Sequence, residues 1–241
     1  MMGIDYEPAL VEATVLASVG DGWKAFHDER DPLYTLADAE AREAAFVTLH
    51  ARWFQRLGLD RPLPEALAER PEVAAACGRC IVARAGAAAA EAADLLVAPA
   101  VRPTLLVRAT PERLGVRERA RAFLRHELLH VSDMLDRDFG YEPRLPAGDG
   151  PPLRAGRRAE RYRVLWDAYV DGRLVAAGRA PVSVRLARLR EFGRAFPELG
   201  EEAEAAFRLF FEAPLCTHAE LVAFATAGDT RDVSEAPVAA R

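Results

Sequence analysis

The sequence predicts a mostly helical α+β fold in which a small sheet precedes one chemistry-bearing helix. Three observations predict it. Apolar residues recur at helical spacing through the first 70 residues and again from about 157 to 226. Between these stretches lie three short apolar runs bounded by Gly and Pro, "GRCIVARAG", "ADLLVAP" and "PTLLVRAT". The order helices, strands, helices is that of an α+β chain rather than of alternating βαβ units.

In chain order, "TLADAEAREAAFVTLHARWFQRLG" reads as a helix with a cap at Thr35, Asp38 three residues later, and a stop at Gly58. Phe46, Leu49, His50 and Trp53 share one face of it, which makes His50 a core or boundary histidine. Strands are expected at 79–84, 94–98 and 104–109, with a short alanine helix between the first two. Pro103 and Pro111 flank the third run and mark it as an edge strand. Pro111 opens a helical segment whose later part, about 117–138, carries Leu124, Leu128, Val131 and Leu135 at core-facing spacing and stops near Gly140. "LPAGDGPPLRAGRR" reads as a loop. Helices are expected beyond it at about 157–176, 182–195, 200–212 and 217–226, the last opened by a capping box from Thr217 to Glu220. Residues 1–70 read as a helical N-terminal extension or lid, and residues 71–241 as the α+β core.

Composition narrows the function classes. A chain of 241 residues can bury a sizeable core, and 51% hydrophobic with 29% charged residues is an ordinary soluble profile. The net charge of −5 makes no electrostatic case for a nucleic-acid or membrane partner. The N-terminus "MMGIDYEPALVEA" has acidic residues where a signal peptide has a basic region, so a cytoplasmic setting is expected. Three cysteines argue against a disulfide framework. Cys77 and Cys80 have zinc or redox spacing, but a second pair would have to be Cys216 and His218, a segment the capping box already explains. They are expected as buried, inert thiols. Five arginines between Arg154 and Arg163 read as a solvated helix end. Oligomeric state is not legible in the sequence.

The chemistry concentrates in His126, Glu127, Leu128, Leu129 and His130, a His-Glu-x-x-His pattern. Chance gives about 0.01 such patterns in a chain of this composition. Four helical residues turn through about 400°, so both imidazoles leave the same face and can reach one Zn²⁺ at about 2.0–2.1 Å. Glu127 sits about 100° further round, placed to serve a metal-bound water as general base. A third ligand is needed. Asp136 would reach the ion only if the chain turned near Asp133; on a continuing helix it lies about 600° from His130, nearly opposite. The second candidate is "VLWDAYVDGRL", where Asp167 and Asp171 are four apart among apolar residues. One could bind the metal while the other fixes a ligand histidine's tautomer. The bland alternative pairs them with Arg163 or Arg173.

Together, "HELLH" and "WDAYVD" resemble the gluzincin, or thermolysin-like, metallopeptidases over about 60 of the 241 residues. That family's second helix carries Asn-Glu-x-x-x-Asp. Trp166 stands where the Asn would be, Asp167 where the glutamate ligand would be, and Asp171 where the aspartate supporting the first histidine would be. The resemblance implies a Zn²⁺ held by His126, His130 and Asp167, Glu127 as general base, and Asp171 orienting His126. It implies hydrolysis of a peptide or amide substrate, with substrate backbone added to an edge strand. An aspartate ligand, as in the aspartate-ligand zincins, departs from the family and brings the second helix closer to the ion. The family's downstream oxyanion-stabilising histidine or tyrosine has no clear counterpart; Tyr162, Tyr169 and Tyr141 are candidates. The alternative expectation is a non-catalytic binding or scaffold protein with a structural or vestigial metal site.

Overall fold

The computed structural model describes residues 2–145 and 152–227. It is mostly helical with one small mixed sheet, the predicted α+β class. Contacts divide the chain into two units, one ending at Ser132 and one beginning at Asp133.

The first unit holds β1 (Gly3–Tyr6), α1 (Pro8–Ser18), α2 (Trp23–Arg30), α3 (Ala39–Arg56), α4 (Pro62–Ala68) and α5 (Pro71–Ala76). The strands β2 (Arg79–Arg84), β3 (Ala92–Ala98) and β4 (Val101–Ala109) follow, then α6 (Pro111–Leu114) and α7 (Arg117–Leu135), whose last three residues fall in the second unit. The sheet order is β1-β2-β4-β3, with β1, β2 and β4 parallel and β3 antiparallel to β4. Cys80 and Val82 on β2, and Leu105, Val107 and Ala109 on β4, point to a buried face, the period-2 alternation of a sheet with one covered side. Helices α1 and α3 pack on one another. Val11, Val15, Val19, Phe26, Leu49, Trp53 and Phe54 form one cluster there. Truncating the fully buried Phe26 to alanine would cost about 3–5 kcal/mol.

Four local expectations change. The N-terminal residues are not all helical, because Gly3–Tyr6 pairs with Arg79–Val82. Helix α3 is capped by Asp38, which accepts from the Glu40 amide, while Thr35 ends a 3₁₀ turn and bonds the Pro32 carbonyl. The alanine run before β3 shortens to a single 3₁₀ turn, Ala88–Ala90. The third apolar run is not an edge strand: β4 is central and β3 is the edge. Pro103 is tolerated because the β3–β4 register shifts between Leu96 and Ala98, a bulge beside the position where proline cannot donate.

In the second unit α8 (Pro152–Ala176) is joined by α9 (Arg185–Ala195), α10 (Ala203–Phe211) and α11 (His218–Thr226), all of which contact it. Helix α8 starts earlier than expected, since Pro152 suits a first turn where no amide donor is needed. The expected loop is thereby shortened, and part of it, 146–151, lies outside the described residues. Gly172 lets α10 approach α8: a Cβ there would overlap the Phe211 carbonyl. The capping box of α11 forms as predicted, Thr217 and Glu220 each satisfying the other's amide. Two arginines of the expected solvated end, Arg158 and Arg161, are buried instead. Arg161 donates to the Ala195 carbonyl and to Glu198, so its charge is matched where it is desolvated.

Candidate functional site

The histidine pair stands on the buried side of α7. Leu124, Leu128 and Val131 anchor that side at 1%, 0% and 0% exposure, and the helical repeat carries His126 and His130 inward at 3% and 8%. Their Nε2 atoms lie 3.1 Å apart and their ring planes meet at 73°. Two Zn–N bonds of 2.0–2.1 Å at a tetrahedral angle would hold the nitrogens about 3.3 Å apart. The spacing therefore suits either shared ligation or one N–H donating to its neighbour.

Glu127 points to a different neighbour. Its Oε2 accepts the Ala93 amide of β3 at 2.8 Å, so the carboxylate lies against the outer strand of the sheet. The start of β3 is itself pinned. The Glu91 side chain, 3% exposed, accepts from the Thr110 amide at 3.1 Å and the Thr110 hydroxyl at 2.6 Å. Arg113 donates to it at 2.7 and 2.9 Å. Burial pushes the Glu91 carboxyl up, but the Arg113 and Thr110 hydrogen bonds outweigh it and hold it below the usual carboxylate range.

The aspartates occupy one face of α8. Asp167 is 8% exposed, and its Oδ2 accepts from Arg163 at 2.7 Å and from Arg188 of α9 at 3.1 Å. Asp171, fully buried, accepts Arg188 Nε at 2.6 Å and the Val182 and Ser183 amides at 3.0 and 3.3 Å. The pairing with arginine is thus realised, through Arg163 as foreseen and through Arg188, which the sequence reading did not name. Arg173 goes elsewhere. Its guanidinium grips Asp133 at 2.8 and 2.6 Å, and Trp166 Nε1 donates to the same carboxylate at 2.8 Å. Asp133 belongs to the last turns of α7, so these bonds tie that end of the helix to the residue preceding Asp167. His126 and His130 belong to the first unit and Asp167 to the second.

Asp136 is not part of it. Asp133 stays helical, α7 runs on to Leu135, and Asp136 is exposed, turning its Oδ1 to the Asp138 amide. Tyr162 is buried with its hydroxyl 2.7 Å from His218 Nδ1. Burial raises the phenol's pKa and lowers that of the imidazole. Tyr169 accepts the Cys216 amide through its hydroxyl and lies under Arg173. Tyr141 packs against Trp166 and His218. Cys77 and Cys80 are fully buried, and burial pushes the Cys80 thiol up to about 12, the unreactive direction. Sequence reasoning missed Asp133 as an anchor and the Tyr162–His218 pair. The only available signals were a carboxylate on the buried side of α7 and a histidine in the first turn of α11. Comparison with protein-family models, with curated proteins and with solved structures finds no match.

Proposed function

We propose that His126, His130 and Asp167 hold one Zn²⁺ and that the protein is a zinc-dependent metallohydrolase acting on a peptide or related amide bond. The observation that carries this reading is the buried imidazole pair of a His-Glu-x-x-His helix, whose Nε2 atoms lie 3.1 Å apart. Two imidazoles and a carboxylate are a familiar catalytic zinc set that leaves coordination positions open. Zinc held there would supply a water of lowered pKa and a Lewis acid for the substrate carbonyl. Glu127 acts as general base and returns the proton to the leaving amine. Its bond to Ala93 steadies the carboxylate beside β3. Asp171 is assigned to orienting His126. Tyr162, Tyr169 and Tyr141 are the oxyanion-donor candidates. Among the described residues no helix is long and apolar enough to cross a membrane.

A second reading is favoured by one observation, the two guanidiniums on Asp167 Oδ2. They supply positive charge where the ion would, as expected of a buried ion-pair network in a protein with a structural or vestigial metal site. Elemental analysis of protein refolded with one equivalent of Zn²⁺ separates the two, followed by His126→Ala and Glu127→Gln. The hydrolase reading expects stoichiometric zinc, its loss with His126→Ala, and zinc retained with peptide hydrolysis lost on Glu127→Gln. Absence of bound zinc overturns the metal site. Zinc closed by four protein ligands in X-ray absorption overturns the catalytic role.

A further inference from the structure

Away from the histidine pair, the first unit contains a cavity of about 480 Å³ beside α1 and α3. That is a common size for a small-molecule site. Its charge is one-sided: Glu7, Glu12 and Glu43 line it with Arg30 as the single cation. The Arg30 guanidinium is engaged by Asp31 at 3.0 Å and by His27 at 2.8 Å, and Glu7 holds the Arg84 amide. Among the described residues, Glu12 and Glu43 have neither hydrogen-bond nor ion-pair partners.

An independent observation comes from His50, which also lines the cavity. It is 5% exposed, flanked by the Phe26 and Phe46 rings at 5.8 and 6.4 Å. Neither of its ring nitrogens has a hydrogen-bond partner among the described residues, and neither is sealed from the cavity. The ring nitrogens thus have the cavity rather than the protein to bond to, which points to a ligand group that donates there. Burial lowers the His50 pKa and favours the neutral ring, which offers one lone pair. Leu16, Phe46 and Val47 supply an apolar wall. The acidic groups and His50 do not converge as ligands on one point, so the arrangement suits an extended organic cation rather than a metal ion.

We propose that this cavity binds a protonated primary alkylamine, with Glu12 and Glu43 as counter-charges, His50 as hydrogen-bond acceptor, and the alkyl chain against Leu16, Phe46 and Val47. The test is titration calorimetry of the full chain with n-hexylamine, alongside 1-hexanol and hexanoate. Saturable amine binding is expected, with hexanol at least about tenfold weaker and no hexanoate binding. The double variant Glu12→Gln, Glu43→Gln changes only exposed side chains and should fold; it is expected to weaken amine binding about tenfold. His50→Phe keeps a flat ring, removes the acceptor, and should weaken binding about threefold or more. No saturable amine binding up to about 10 mM, hexanol binding as well as the amine, or the double variant binding like the wild type would each overturn the proposal.

Discussion

Asp133→Ala should weaken the second unit more than any surface change. The carboxylate is 4% exposed and takes three hydrogen bonds, two from Arg173 and one from Trp166. Removing one member of a buried ion pair costs about 3–5 kcal/mol, because the other charge stays desolvated. The Arg173 side chain keeps 24% exposure, so water recovers part of that cost, while the indole N–H left without its acceptor adds about 1 kcal/mol. The balance is about 3 kcal/mol, a fall of about 6–12 °C in Tm. Asp133→Asn keeps the shape and one acceptor oxygen and should lose about 2 kcal/mol. Urea unfolding followed by tryptophan fluorescence measures both. A double-mutant cycle with Arg173→Met should give a coupling above about 1 kcal/mol. A loss under about 0.5 kcal/mol for Asp133→Ala, or additive effects in the cycle, would refute the reasoning.

Two further outcomes follow from the packing. Gly172→Ala should destabilise the second unit by about 2–4 kcal/mol, read by urea unfolding, because the new methyl meets the Phe211 carbonyl, which cannot rotate away as a side-chain end can. Alanine tolerated there within about 0.5 kcal/mol would contradict the close α8–α10 approach. Glu91→Gln should cost about 1–3 kcal/mol at pH 7. The native carboxyl titrates below its unfolded value of about 4.3, so its contribution is complete above that pH and disappears as pH falls through the folded pKa. The difference between wild type and variant, measured by urea unfolding at pH 7 and pH 3, should therefore shrink in acid.

Local patterns were legible where they were long or rigidly spaced. The histidine pair could be placed from its four-residue separation alone, and β2 was bounded at Arg79 and Arg84 because Gly78 and the residues after Arg84 break its run. The choice of Asp167 as third ligand rested on a resemblance between two helices rather than on any spacing within one. The strand β1 was missed because four residues carry too little alternation, and its partner lies beyond five helices. The central position of β4 was hidden because proline at a bulge and proline on an edge look alike in one dimension. Asp133 was weighed only as the place near which the chain would have to turn for Asp136 to reach the ion. That it anchors Trp166 and Arg173 depends on tertiary geometry that no spacing rule contains.

The parallel pairing of β1 with β2 has a consequence for biosynthesis. Gly3 must find Arg79, so the strand leaving the ribosome first has no partner until most of the first unit has been translated. Closing so long a loop is entropically slow compared with forming the intervening helices. Until then β1 stands unpaired, an uncapped template for any extended chain nearby. A nascent-chain series arrested before and after residue 84 should see protection from aggregation appear only once β2 has cleared the exit tunnel.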